Sequence, residues 1–82
     1  MQLEIISPES LVYSGDVQQV RVPGTAGSFA VLHNHTPIMS TLEQGRIKVT
    51  KLGGQILYFD IQGGVIQVNN NIITILIDKE NT

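Results

Sequence analysis

The chain contains no cysteine and no tryptophan, and aromatic residues make up only 5% of its 82 residues. Without thiols, neither disulfide bonds nor thiolate metal sites are available. Its five Lys and Arg residues are scattered along a chain of formal net charge −2, which excludes the basic footprint of a nucleic-acid binder. No run approaches the roughly 20 apolar residues of a membrane span, so we expect no direct membrane insertion.

The length and the apolar composition favour one small domain. A chain of 82 residues has room for a single modest core, and we expect one domain over residues 1–82. Hydrophobic residues make up 41% of the chain, and since so few are aromatic, the core must consist mainly of Ile, Val and Leu. Such residues favour strands.

The hydrophobic pattern has a period of two, and Gly, Pro and Asn interrupt it about every ten residues. This pattern predicts an all-β sandwich or barrel, and no window of the sequence predicts an amphipathic helix. Predicted strands cover residues 2–7, 11–13, 16–22, 28–32, 38–42 and 46–52, and the last four strands of the chain form two hairpins. Within residues 16–22 the apolar side chains change parity between Val17 and Val20, which predicts a bulge or bend.

The final hairpin has a clear predicted register. If Asn70 and Asn71 form a two-residue turn, Val68 pairs with Ile73, and the next apolar pair falls on the same face. Asparagine tolerates the positive φ that such a turn requires. The sequence therefore predicts a tight turn at this position.

The hairpin around Gly53 and Gly54 requires a different loop. A strict two-residue turn would pair Val49 with Tyr58 and leave apolar side chains on both faces. A shift of one residue collects the apolar side chains on one face, which predicts an odd-length loop or a bulge. Further along the chain, the adjacent glycines Gly63 and Gly64 predict a close backbone approach or a bend.

Both histidines lie in residues 22–37, a segment that also holds two prolines. If this segment were extended, His33 and His35 would point to the same side, as in the metal-binding strand of a cupin. A cupin also needs a nearby glutamate and a third histidine, whereas the next carboxylate is Glu43 and the chain has only two histidines. Two imidazoles alone make a weak metal site. A cupin-like metal-binding protein thus stays a minor alternative to a loop that docks on a partner.

Catalytic machinery is not recognisable in the sequence. A phosphate-binding loop is followed by a helix. Neither the pair Gly24 and Gly27 nor the pair Gly63 and Gly64 is followed by a helical pattern. The acidic residues are dispersed, and no serine has a recognisable base beside it. The residues alone therefore indicate a binding or structural module, and a free-standing ligand-binding β-sandwich remains a second alternative.

Seven segments match one known family in order and spacing. They include Leu-Glu-Ile-Ile-Ser-Pro at 3–8, Val-Pro-Gly-Thr-Ala-Gly at 22–27 and His-Thr-Pro at 35–37, with the others at 12–15, 42–45, 62–68 and 72–78. Over its whole length the chain resembles the N-terminal β-sandwich domain of the epsilon subunit of bacterial F-type ATP synthases, the counterpart of the mitochondrial delta subunit. It departs from the family pattern at Ala30, which replaces a glycine, and at His33, which replaces a proline.

The resemblance implies a flattened antiparallel β-sandwich of two five-stranded sheets with little or no helix. It implies a central-stalk subunit that links the gamma subunit to the c-ring and helps couple proton translocation to ATP synthesis. The alpha and beta subunits belong to the same complex, which lies on the cytoplasmic face of the bacterial inner membrane. The resemblance implies no catalytic residue, cofactor or metal in this subunit.

The resemblance also implies contact residues. Ser28, Asn34, His35 and Thr36 are expected to face the c-ring, and Ser7 and Pro8 are expected to face gamma. The two-helix C-terminal domain of full-length family members is expected to be absent from residues 1–82.

Overall fold

The computed structural model describes residues 1–78, in which every regular element is a β-strand. No helix among these residues is long and apolar enough to cross a membrane. The eight strands are β1 (Gln2–Ile6), β2 (Leu11–Val22), β3 (Phe29–Leu32), β4 (Ile38–Leu42), β5 (Gly45–Lys51), β6 (Ile56–Ile61), β7 (Gly64–Asn69) and β8 (Ile72–Ile77).

The strands form two sheets that share β2. Sheet A has the order β4-β7-β8-β1-β2, and sheet B has the order β3-β2-β5-β6. The first half of β2 pairs with β1, whereas its second half pairs with β3 and β5. An isolated bridge between Gly24 and Leu42 then connects the chain beyond β2 to β4 at the far edge of sheet A. The prediction of an all-β sandwich is confirmed.

The sheets differ in two details from those that the resemblance implied. Among the described strands, sheet A has five and sheet B has four. The pairing is antiparallel except between β1 and β8, which run parallel with Leu3 opposite Ile73. This pair joins strands that are far apart in the chain, so no turn between them revealed its direction to sequence analysis.

The second strand is longer than predicted. Residues 11–13 and 16–22 were expected to form two strands, but β2 continues through Ser14 and Gly15. Gly15 pairs with Leu3, and a Cβ at this glycine would come within 3.0 Å of the Tyr13 hydroxyl. The glycine therefore makes room for an aromatic ring that lies along the strand, and it does not mark a turn.

The predicted bulge in β2 is confirmed. The register against β5 shifts between Val17 and Gln19, so the extra residue restores the inward direction of the apolar side chains. Val17, Val20 and Val22 are consequently all buried, with exposed fractions of at most 1%.

Both hairpin predictions are also confirmed. Val68 pairs with Ile73, and the intervening Asn70 and Asn71 adopt φ values of 52° and 61°. In the other hairpin Val49 pairs with Leu57. The Lys51 amide donates to the Gln55 carbonyl at 2.8 Å, which leaves a three-residue loop.

The core lies between the two sheets and draws on every strand. It contains only aliphatic side chains, and the Tyr13 and Phe59 rings pack at its margin with centroids 5.7 Å apart. Its buried apolar members are Leu3, Ile5, Val17, Val20, Val22, Val31, Leu42, Ile47, Val49, Ile61, Ile66, Val68, Ile73, Ile75 and Ile77.

The close backbone approach predicted for Gly63 and Gly64 occurs at Gly64. A Cβ at this position would collide with the backbone carbonyl oxygen of Leu76 in β8. We expect Gly64→Ala to lower the free energy of unfolding by about 1–3 kcal/mol, because a backbone atom must move. Urea denaturation measures this loss. Gly15→Ala is the matched control and should cost less, because its neighbour is the tip of a side chain. Equal losses in the two variants would contradict the explanation.

Candidate functional site

The outer face of sheet A carries apolar side chains that the fold leaves uncovered. Leu3, Ile5 and their neighbours point into the core, so the alternate residues of the same strands point outward. We call this surface the apolar face, and its members are Ile6, Met39, Val65, Ile72 and Leu76. Met39 is 67% exposed, Ile72 54% and Leu76 50%, while Ile6 and Val65 are half-buried.

The strand registers place three members of the apolar face side by side. Val65 lies opposite Leu76, and Leu76 lies opposite Ile6 on the next strand. Strands are about 4.8 Å apart, so these three side chains form a continuous row about 10 Å long. Met39 lies opposite Gln67, and Ile72 lies opposite Asn69, so these two exposed side chains are on the same face but apart from the row. Grouped exposure of this kind is typical of a protein contact surface.

The turn between β1 and β2 lies at one end of the apolar face. The Ser7 hydroxyl accepts the backbone N–H of Ser10 at 3.1 Å and that of Glu9 at 3.3 Å, and the Ser7 N–H donates to the Ser10 carbonyl at 2.9 Å. Ser7 is only 5% exposed, whereas Pro8 is exposed. Of the two residues expected to face gamma, Pro8 is thus the accessible one, and Ser7 holds its turn in shape.

Residues 33–37 form a loop at the opposite end of sheet A, which we call the histidine loop. Asn34 has a φ of 62°, and the His35 N–H donates to the Leu32 carbonyl at 3.1 Å, closing a turn. The imidazole Nδ1 of His35 lies 2.7 Å from the Thr36 carbonyl oxygen. The histidines therefore lie in a turn, and the idea that an extended chain points them to the same side is wrong. Among residues 1–78 no three potential metal-ligating side chains come together.

A pair of asparagines joins the histidine loop to the β7–β8 turn. The Asn34 N–H donates to Asn71 Oδ1 at 2.7 Å, and Asn71 Nδ2 donates to Asn34 Oδ1 at 3.1 Å. The Asn71 carbonyl in turn accepts the Gln2 N–H at 2.9 Å. The loop is thereby attached to sheet A, although His33, Asn34 and Thr36 are all exposed.

The four residues expected to face the c-ring do not form one cluster. Asn34, His35 and Thr36 lie together in the histidine loop, next to the start of β4. Ser28 belongs to the loop that contacts the end of β4, where the Thr25 N–H donates to the Thr41 carbonyl at 3.0 Å. The length of β4 separates the two sites by about 13 Å. Ser28 instead shares its end of sheet A with the Ser7 turn.

The outer side of sheet B is basic. Arg21, Arg46 and Lys48 alternate with core residues and so point outward, and we call this surface the basic face. Arg46 Nε donates to Asp60 Oδ1 at 3.0 Å, and its guanidinium carbon lies 5.3 Å from the centre of the Tyr58 ring. The hydrogen bond and the charge of Asp60 raise the pKa of Arg46 above its ordinary value.

Residues 1–80 match the family described as ATP synthase, Delta/Epsilon chain, beta-sandwich domain. The chain belongs to this family. The membership agrees with the resemblance drawn from the ordered sequence segments and with the all-β sandwich.

Individual members of the delta/epsilon family are similar over nearly the whole chain. It is 37% identical over 78 residues to the ATP synthase epsilon chain of Leptospira borgpetersenii, covering 95% of this chain and 61% of that protein. It is 42% identical over 76 residues to that of Caulobacter vibrioides, covering 93% and 87%. The chain thus spans about three-fifths of the Leptospira relative and most of the Caulobacter one.

Two solved assemblies contain chains with this fold. The first is the Euglena gracilis mitochondrial ATP synthase, OSCP/F1/c-ring, which matches with a TM-score of 0.89 at 21% identity and covers 96% of this chain and 51% of that one. The second is the central stalk and c-ring of the Tetrahymena thermophila mitochondrial ATP synthase, with a TM-score of 0.82 at 14% identity and coverage of 96% and 63%. At these identities the likeness establishes the fold shared with the delta/epsilon family.

Sequence analysis missed the apolar face, although β8 contains a signal for it. This strand reads Ile-Ile-Thr-Ile-Leu-Ile and is apolar on both faces, whereas a strand with one solvated face alternates apolar with polar residues. Ile72 and Leu76 occupy the positions where polar side chains are expected. Met39 has no comparable signal, because β4 is short and mixed in composition.

The asparagine pair makes a testable prediction about the histidine loop of this delta/epsilon family member. We expect Asn71→Gly to speed hydrogen exchange at the Asn34 amide about tenfold, because that amide loses its acceptor. Asn70→Gly is the matched control, since both asparagines have positive φ and only Asn71 bonds the loop. NMR-detected exchange measures both variants. Unchanged exchange in Asn71→Gly would show that the loop is held by other contacts.

Proposed function

We propose that the chain is a non-catalytic central-stalk component of an F-type ATP synthase, where it links gamma to the c-ring and helps couple proton translocation to ATP synthesis. The observation that carries the proposal is the apolar face, a set of exposed apolar side chains on a member of the delta/epsilon family. ATP synthesis itself is assigned to the alpha and beta subunits of the same complex. The component sits peripherally, on the cytoplasmic face of the bacterial inner membrane.

The gamma subunit is the proposed partner of the apolar face. Burying apolar surface stabilises a contact by roughly 25 cal/mol per Å², and Met39, Ile72 and Leu76 each have half or more of their surface available for burial. Pro8 lies at the margin of this face and would extend the contact. Ser7 would contribute by holding the turn that presents Pro8.

The histidine loop is the proposed c-ring contact. Its exposed Asn34 and Thr36 and its half-buried His35 offer amide, hydroxyl and imidazole groups to the polar loops of a ring. The asparagine pair fixes the loop to sheet A, so force applied at the loop reaches the sheet that docks gamma. Ser28 is a second candidate contact, and its location at the opposite end makes it separately testable.

The names of the relatives and of the two assemblies support this proposal. The relatives are epsilon chains of ATP synthases, and both assemblies include a c-ring. A stalk component requires surfaces for two partners, and the row of Ile6, Val65 and Leu76 lies at the opposite end of sheet A from the histidine loop. The geometry therefore suits a connector.

The apolar face can be tested with one charge. We expect Leu76→Glu to weaken binding to purified gamma at least tenfold, because a carboxylate would be buried opposite Val65 and Ile6. Isothermal titration calorimetry measures the affinity.

Leu52→Glu is the matched control, because Leu52 is 61% exposed in the β5–β6 loop, away from the apolar face. Its affinity for gamma should stay within about twofold of the parent chain. If gamma binds both variants equally well, the apolar face is not its docking site. If gamma does not bind the parent chain, the proposed function fails.

The c-ring contact can be tested by comparing the two ends of sheet A. We expect Thr36→Arg to reduce association of the gamma complex with a reconstituted c-ring about tenfold, because the bulky cation disrupts the loop surface. Ser28→Arg makes the same addition at the other candidate position. Co-sedimentation with ring-containing vesicles measures both. A loss confined to Ser28→Arg would move the ring contact to that end and contradict the assignment to the histidine loop.

A further inference from the structure

Strand β6 is an open sheet edge with little protection. Within residues 1–78 it pairs only with β5, and its sequence Ile-Leu-Tyr-Phe-Asp-Ile contains neither proline nor lysine. Proteins usually protect such edges with lysine, proline, a bulge or a covering segment. The other edges are less available, because β3 has only four residues and backbone hydrogen bonds to residues 23 and 25 cover the end of β4.

The hydrogen-bonding groups on this edge can be assigned from the hairpin. Lys51 and Gln55 form a hydrogen-bonded pair, and in an antiparallel ladder such pairs alternate with pairs that do not bond each other. Leu57, Phe59 and Ile61 therefore direct their N–H and C=O groups to β5. Ile56, Tyr58 and Asp60 direct their N–H and C=O groups away from β5, toward the free edge.

The same three residues point their side chains to the basic face. Ile56 is 45% exposed and Tyr58 55%, and Asp60 is already paired with Arg46. Arg21 and Lys48 are opposite each other on neighbouring strands, and Lys48 is opposite Tyr58. Three cations and one carboxylate thus give the basic face a net charge of opposite sign to that of the whole chain.

We propose that β6 accepts an extended acidic polypeptide segment as an additional strand of sheet B. The backbone of the segment bonds Ile56, Tyr58 and Asp60, and its acidic side chains lie on the side of the basic face. Its alternate, apolar side chains extend the row of half-buried Leu57 and Phe59 on the inner side. Backbone bonds provide the attachment in this mode of recognition, and alternate side chains provide the selectivity. This activity goes beyond the proposed docking of gamma, which uses the other sheet.

Charge favours an acidic segment over a second copy of the chain. If two β6 strands paired, their basic faces would form one continuous surface of like charge. An acidic segment instead places its carboxylates two strand spacings, about 10 Å, from Arg46 and Lys48 on β5, where attraction persists at moderate ionic strength. A strand of six residues also offers a small contact area compared with a stable dimer interface.

The test uses a capped eight-residue peptide of alternating Val and Glu, titrated to millimolar concentration against the 82-residue chain. We expect hydrogen exchange at the amides of Ile56, Tyr58 and Asp60 to slow at least fivefold, while Leu57 and Phe59 are unchanged because they already bond β5. A peptide with Lys in place of Glu should give less than a fifth of this protection. NMR-detected exchange reports every amide separately.

Tyr58→Pro removes the central edge donor without removing a bond to β5, and it should abolish protection at Ile56 and Asp60. Tyr58→Ala keeps the N–H and should retain protection. A second pair of variants does not alter β6: Lys48→Glu should weaken peptide binding several-fold, and Lys51→Glu, at the end of β5, should weaken it less. If Tyr58→Pro does not fold, the comparison of Lys48→Glu with Lys51→Glu tests the proposal.

Three results would overturn the proposal. The first is an absence of protection at the three edge amides with the Glu peptide. The second is equal protection by the Lys peptide, which would remove the preference for acidic segments. The third is concentration-dependent protection in the chain alone, which would identify a second copy as the occupant. None of these results depends on whether gamma binds.

Discussion

The structure depends on the shared strand β2 and on the bulge within it. The strand must bury Val17 and Val20 although they have opposite parity, and the register shift between Val17 and Gln19 allows both to face the core. Because the first half of β2 pairs with β1 and its second half with β3 and β5, this one strand belongs to both facing layers. The aliphatic core lies between these two layers.

Local features of the sequence predicted local features of the fold. Parity revealed the bulge in β2, the loop around Gly53 and the register of Val68 with Ile73, because a one-residue slip would expose an entire apolar row. The parallel pairing of β1 with β8 had no such signal, since no turn connects the strands. Ser14 and Gly15 were misread as a turn because glycine has more than one use, and here it accommodates the Tyr13 ring.

The candidate surfaces were harder to predict than the fold. The sequence resemblance grouped Ser28 with Asn34, His35 and Thr36, which are near in the chain but are separated in space by the length of β4. It named Ser7 as a contact, yet the hydroxyl of Ser7 organises its own turn. The apolar face escaped notice because its members come from four strands, and only the registers of β7, β8, β1 and β4 place them on the same side of sheet A.

The parallel pairing of β1 and β8 affects how the protein is made. Of the eight described strands β1 is synthesised first and β8 last, yet the two are neighbours in sheet A. One edge of β1 therefore stays unpaired until β8 has been produced. Contacts between strands so distant in sequence form slowly, because closing the intervening chain costs entropy before any pairing is gained. Sheet A thus stays incomplete until β8 is available to pair with β1 and β7.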